Sequence, residues 1–339
     1  MNENINLNTI TLNENKKLNY IQVIRGIAIL GIVLIHATSS IATNKVNIFL
    51  RQFINCSVPI FFFISGYLIT PEKFNNKNYI KSFYKKRFLR VGIPYLVFSI
   101  IDFILNDNLR HASLTKKLFF LLTGQANNSI YYYIIVYLQL IIITPFLIKL
   151  IHKINPIYIY SLSFLTILIQ YVFTWINNPL PFPYNALPFT TWMLFYYMGI
   201  IERNIKKTIN IKKNLTLTII MLFFSIIEGF IWSKFFTSSI GKSQIKITSF
   251  LYSYYFIKVL LFYKEALSNK ILKFWGDNSF GIYLIHMFIM RKFINFFSCS
   301  NNILNIIITT IVTILVSLLF IFIIKKLFGK KLALNIFGF

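Results

Sequence analysis

Apolar stretches of about 20 residues recur along the chain between short polar or charged breaks, and about 20 residues is what an α-helix needs to cross a bilayer's hydrocarbon core. Read against turn residues and charges, the runs place about ten spans near 20–42, 47–69, 91–108, 129–150, 156–174, 187–203, 214–232, 244–263, 275–297 and 302–325. The strand-like alternation of a membrane barrel is absent. A bilayer offers backbone amides no outside partner, so segments this long are expected to be helical. The predicted fold class is therefore all-α, a polytopic membrane helical bundle. One membrane domain covers 19–328, with a short tail over 329–339. Residues 1–18 are Asn-rich and lack the short apolar core and small-residue cleavage site of a secretory signal, so they read as a disordered cytoplasmic tail. No internal repeat is visible.

Composition narrows the class. Of 339 residues, 56% are hydrophobic and 13% charged, too few polar groups to cover a water-soluble surface. A net charge of +26 would suggest nucleic acid in a soluble protein. Here the cations sit between apolar runs and alternate in density, which is a topology signal and argues against a nucleic-acid partner. With an inside N-terminus, the even-numbered loops and both tails gather Lys73, Lys81, Arg87, Arg90, Lys212, Lys270 and Lys330 among many others. The expectation is that both termini are cytoplasmic and the number of crossings is even, in a bacterial plasma or inner membrane. The basic segment 72–90 interleaves cations with Phe83, Tyr84, Phe88 and Leu89, as in an amphipathic helix lying on anionic lipid. The loop 175–189 carries Pro179, Pro181, Pro183 and Pro188 and no charge, and is expected to be a stiff outer lid or re-entrant stretch. Cys56 and Cys299 fall near outward helix ends, but two cysteines are weak grounds for a disulfide and no structural role is expected of them.

Ionisable residues inside spans are costly and mark function by default. The candidates are Arg25, His36, Glu228, Lys258 and His286. Lys258 lies near a helix end and is expected to snorkel to the interface. Arg25 and His36 are separated by three helical turns, which puts both on one face roughly 16 Å apart along the axis. Ser279, Tyr283 and His286 form one stripe at i, i+4 and i+7. Tyr131, Tyr132, Tyr133, Trp175, Trp192 and Trp232 fall near the outer interface, where an aromatic belt is the ordinary explanation.

The stretch Ile21 to His36, with its Arg25 and His36, resembles the opening motif of acyltransferase 3 proteins. Three further segments follow in that family's order: Val58 to Tyr67, which contains Ser65; Tyr84 to Arg90, with two arginines three apart; and Asn278 to His286. The resemblance thus covers residues 20 to 290. It departs from the family's usual pattern at Gln22, where an Asp is common, and at Tyr131, Tyr132 and Tyr133, where many members open the fourth span with Trp.

The resemblance implies a membrane-bound O-acyltransferase that moves an acyl group, acetyl above all, from acyl-CoA (acetyl-CoA) to a hydroxyl of an extracytoplasmic or lipid-linked carbohydrate. Arg87 and Arg90, one turn apart, would fork onto the donor's phosphates with help from Arg25. His36 is the candidate for the chemical step, either as general base toward the sugar hydroxyl or as a transiently acylated nucleophile. Ser65, Glu228, Ser279, Tyr283 and His286 are expected to bind substrate or support the base. No metal is expected. The competing class is an exporter or flippase of a polysaccharide or its lipid-linked precursor.

Overall fold

The computed structural model describes residues 2–40, 45–204, 208–293 and 302–339, with side chains from residue 19 onward. Helices account for nearly all of it, and no strand occurs among the described residues. In chain order they are α1 (Asn2–Ser40), α2 (Lys45–Ile54), α3 (Ser57–Tyr67), α4 (Lys77–Leu105), α5 (Asp107–Arg110), α6 (Leu114–Thr123), α7 (Tyr132–Leu150), α8 (Pro156–Trp175), α9 (Phe189–Asn204), α10 (Ile211–Phe235), α11 (Ser238–Lys242), α12 (Ile247–Phe262), α13 (Lys270–Asp277), α14 (Ser279–Phe293) and α15 (Asn302–Leu332).

Eight helical segments among the described residues are long and apolar enough to cross a membrane. The sixth and ninth expected spans fall on α9 and α14, which run for 16 and 15 residues. The bundle is arranged as lipid requires. Ile104, Phe146, Val172, Ile219 and Phe322 are each more than half exposed on its outside, while Ser99, Thr144, Ser163, Ser225 and Ser249 are fully buried. Small polar side chains of this kind join helices where apolar contact gives no net gain over lipid. Ser225 and Ser249 meet at 2.9 Å between α10 and α12, and Thr144 meets the Tyr196 hydroxyl at 2.6 Å between α7 and α9.

Several boundaries differ from expectation, for identifiable reasons. The expected second span divides at Asn55 and Cys56 into α2 and α3. Pro59 explains the break, because its ring would clash with the carbonyl four residues earlier in an uninterrupted helix. The basic segment 72–90 is not a separate interfacial helix: from Lys77 it is the first half of α4, one 29-residue helix reaching Leu105. The ninth expected span divides at Asn278. Residues 333–339 fold back after Gly329, whose φ of +75° suits glycine alone, and bury the Phe339 ring beside Phe98 and Phe337. Cys56 is a buried free thiol, and Cys299 lies outside the described residues.

Two helix crossings are backbone to backbone. A Cβ added at Gly26 of α1 would lie 1.9 Å from the Leu272 carbonyl oxygen of α13, and one at Gly276 would lie 1.8 Å from the Gln22 carbonyl oxygen. On the other side of the core, a Cβ on Gly66 of α3 would lie 1.9 Å from the Tyr196 carbonyl oxygen of α9. Backbone cannot yield as a side chain would, so Gly66→Ala should force α3 and α9 apart. The expected cost is about 1–3 kcal/mol, read as a lowered thermal midpoint in detergent. An unchanged midpoint would show that the crossing is looser than drawn.

Candidate active site

Arg25 and His36 leave α1 on one face, as their spacing dictates, and a single cavity of about 1120 Å³ runs past both. Its wall also holds Ser65, Arg87, Arg90, Ser279 and Tyr283, so seven of the nine candidate residues named from the sequence meet in one space. Glu228 and His286 are set behind the wall.

The basic end is built from α1 and α4. Arg25 donates to the Gln22 side-chain oxygen at 3.3 Å, so the amide at the position where relatives carry a carboxylate still touches this arginine. Arg87 donates to the Tyr137 hydroxyl at 3.4 Å and lies 5.7 Å from the centre of the Phe83 ring. Arg90 is exposed at the mouth. Among the described residues no carboxylate pairs with Arg25, Arg87 or Arg90. Three guanidiniums without counter-ions make a receptor for a polyanion, since each presents N–H groups in a fixed fork.

His36 sits deeper, against His286 with ring centres 5.1 Å apart and planes inclined by 49°. His286 Nδ1 lies 2.7 Å from the Tyr283 carbonyl and 3.2 Å from that of Ile282, so Nδ1 carries the hydrogen. Its Nε2 is buried with no partner and holds the lone pair, because a second N–H there would be stranded. Tyr283 is held by its hydroxyl, which donates to the Ile130 carbonyl at 2.5 Å. Ser65 donates to the Phe61 carbonyl at 2.8 Å and approaches the Tyr133 hydroxyl at 3.5 Å. These bonds fix the wall around an imidazole that still faces open space.

Beyond His36 the cavity continues to the Pro-rich loop. Pro179, Leu180, Pro181, Phe182 and Asn185 line it, with Tyr132, Gln170, Tyr171 and Trp232. Glu228 accepts from the hydroxyls of Tyr171 and Thr248, from Trp232 Nε1 at 3.2 Å and from the Thr248 amide at 3.2 Å. Its contact with the cavity is indirect, through the two rings it holds. Trp192 is no part of an interfacial belt: it is fully buried, stacks on Phe62 at 5.1 Å and donates to the Ala186 carbonyl. Lys258 does not reach water alone but pairs with Glu202.

Several buried or half-buried charges escaped the sequence reading. Arg51 and Lys246 line the cavity beyond His36, while Asp102 and Glu202 serve as ion-pair partners of Arg291 and Lys258. Arg51 and Lys246 fall near the outward ends of the expected spans 47–69 and 244–263, where cations are ordinary, and so do not stand out. Only the break at Asn55 and the late start of α12 bring them inside.

The fold and site define an all-helical membrane bundle with a histidine inside a cavity and a cationic mouth. The chain belongs to the acyltransferase 3 family, whose acyltransferase domain model matches residues 18–322. It is an acyltransferase of groups other than aminoacyl groups. It is also similar to the Bacillus subtilis (strain 168) protein named "Putative membrane-bound acyltransferase YfiQ", with 25% identity over 298 residues covering 79% of each chain. No solved structure matches the chain.

Proposed function

We propose that the protein takes an acyl group, acetyl above all, from acyl-CoA bound at the Arg25, Arg87 and Arg90 mouth and passes it to a carbohydrate hydroxyl that enters under the Pro-rich loop. The observation that carries this reading is the continuity of one cavity from the three arginines to His36. By the distribution of Lys and Arg, the arginine mouth is the cytoplasmic one, which is where the donor is made available. The reaction would then hand an acyl group across the membrane to an extracytoplasmic or lipid-linked glycan.

In this reading the donor phosphates stay at the mouth and the thioester arm extends inward. The acceptor hydroxyl gives its proton to His36 while its oxygen attacks the thioester carbonyl. The new C–O bond forms as the C–S bond breaks, and the departing thiolate takes the proton back from the imidazolium. His286 backs the His36 ring, and its orientation is set by the Tyr283 carbonyl. Family membership supports transfer over export.

The test is donor binding. Coenzyme A should raise the thermal midpoint of the purified protein, and Arg87→Ala with Arg90→Ala should weaken that binding by about 10 to 100-fold, the loss expected for charge-assisted hydrogen bonds. Coenzyme A that binds equally to wild type and the double variant would remove the donor assignment.

A further inference from the structure

The end of the cavity beyond His36 carries charge that acyl transfer as described does not use. Arg51 of α2 and Lys246 at the start of α12 both line it, at 8% and 1% exposure. Arg51 donates one terminal nitrogen to the Ile35 carbonyl at 2.6 Å and to Ser39 Oγ at 3.1 Å, while its Nε is buried with no partner. Lys246 Nζ donates to Gln52 Oε1 at 2.6 Å and to the Gly241 carbonyl at 3.0 Å, which leaves a third N–H.

Among the described residues no carboxylate forms an ion pair with either cation. Glu228 lies within electrostatic range of Lys246, but its oxygens are already engaged by Tyr171, Trp232 and Thr248. Two buried cations sharing one distant carboxylate is a costly arrangement unless something anionic completes it. The same end of the cavity also holds acceptors without donors, Gln244 Oε1 and Asn185 Oδ1, both buried and unpartnered.

We propose that this end of the cavity is a subsite for an oxyanion, carboxylate or phosphate, carried by the hydroxylated acceptor. Arg51 and Lys246 are its counter-ions. The proposal rests on the reading that the acceptor enters at this end, and it deepens that reading by stating the acceptor's charge. Water could satisfy the unpartnered dipoles, but it cannot balance the charge. Because Arg51 is tied to Ile35 and Ser39, on either side of His36 in α1, an anion held there lies beside the imidazole. A hydroxyl on the same or the next sugar is then presented to the reacting thioester, and the anion fixes which hydroxyl that is.

The experiment measures binding to the full chain in phosphatidylcholine nanodiscs. The probes are trigalacturonic acid against its fully methyl-esterified form, and a polyprenyl phosphate against the matching polyprenol. At least one charged probe should bind about tenfold or more tightly than its uncharged counterpart, the effect of one good charge-assisted contact. That preference should vanish in Lys246→Met and in Arg51→Gln. Preference for the carboxylate assigns a glycan acid, and preference for the phosphate assigns a lipid-linked precursor. Arg51→Gln also removes the bond to Ile35, so Lys246→Met carries the decision, with coenzyme A binding as the check that it is folded. Equal binding of charged and uncharged probes, or a preference that survives Lys246→Met, overturns the proposal. Loss of coenzyme A binding in the arginine-mouth variants is read separately, so donor site and anion subsite stand or fall apart.

Discussion

Alanine at His36 is expected to lower acyl transfer by about 10²–10⁴-fold, the usual contribution of a positioned general base. Among the described residues His36 is the imidazole that lines the cavity; His286 is set behind it, with its Nδ1 hydrogen on the Tyr283 carbonyl, so His36→Ala with His286→Ala should remove whatever transfer His286 Nε2 sustains in the single variant. Truncation removes a side chain that faces open space, so the fold should survive, and coenzyme A should bind Arg25, Arg87 and Arg90 as before. The measurement is transfer of label from radiolabelled acetyl-CoA to surface glycan in inverted vesicles, with protein level and coenzyme A binding checked in parallel. Transfer at the wild-type rate would sink the assignment of His36, whatever becomes of the donor site.

The largest effect on stability is expected from Asp102→Ala, at about 2–4 kcal/mol, because it removes a fully buried carboxylate whose charge-assisted hydrogen bonds hold the half-buried Arg291 and a buried amide. Asp102 is fully buried near the end of α4, where Oδ1 accepts from Arg291 of α14 at 2.6 Å and Oδ2 from the Asn127 amide at 2.7 Å. Arg291 also reaches the Asn127 side chain at 2.9 Å, and Asn127 Nδ2 donates to the Tyr131 hydroxyl and the Leu284 carbonyl. One carboxylate therefore holds together α4, α14 and the turn that leads into α7. That turn needs holding. Asn127, Asn128 and Ser129 have φ of 52°, 59° and 62°, a left-handed run that costs roughly 1–2 kcal/mol per residue. Denaturation of the purified variant should show the loss. Asp102→Asn should recover part of it, since an amide oxygen can still accept from Arg291. A midpoint equal to wild type in Asp102→Ala would mean that the pair contributes nothing.

The bundle and the cationic mouth were legible because both are written in local patterns. Apolar runs of span length locate the helices, and a three-turn or one-turn separation puts Arg25 with His36 and Arg87 with Arg90 on common faces. The end of the cavity beyond His36 was not legible. Its members come from α2, α12 and the Pro-rich loop, and Arg51 and Lys246 become interior only because two expected spans begin or break in places that periodicity does not mark. Glu228 was rightly singled out as a buried carboxylate, but its four donors come from α8, α10 and α12, so its indirect contact with the cavity could not be read from spacing. Asp102 carries no local signal, because its partner Arg291 lies 189 positions away.

The glycine crossings divide the molecule mechanically. Where α1 rests on α13, and α3 on α9, main chain touches main chain, and neither pair can slide without collision. The α8 and α10 spans are only 22% buried, against 67% for α1, so their outer surfaces meet fluid acyl chains that yield at little cost. A bulky polymer approaching the Pro-rich loop would thus find a fixed jaw carrying the histidine and a compliant jaw carrying Tyr171 and Trp232, and any widening to admit it falls on the compliant side.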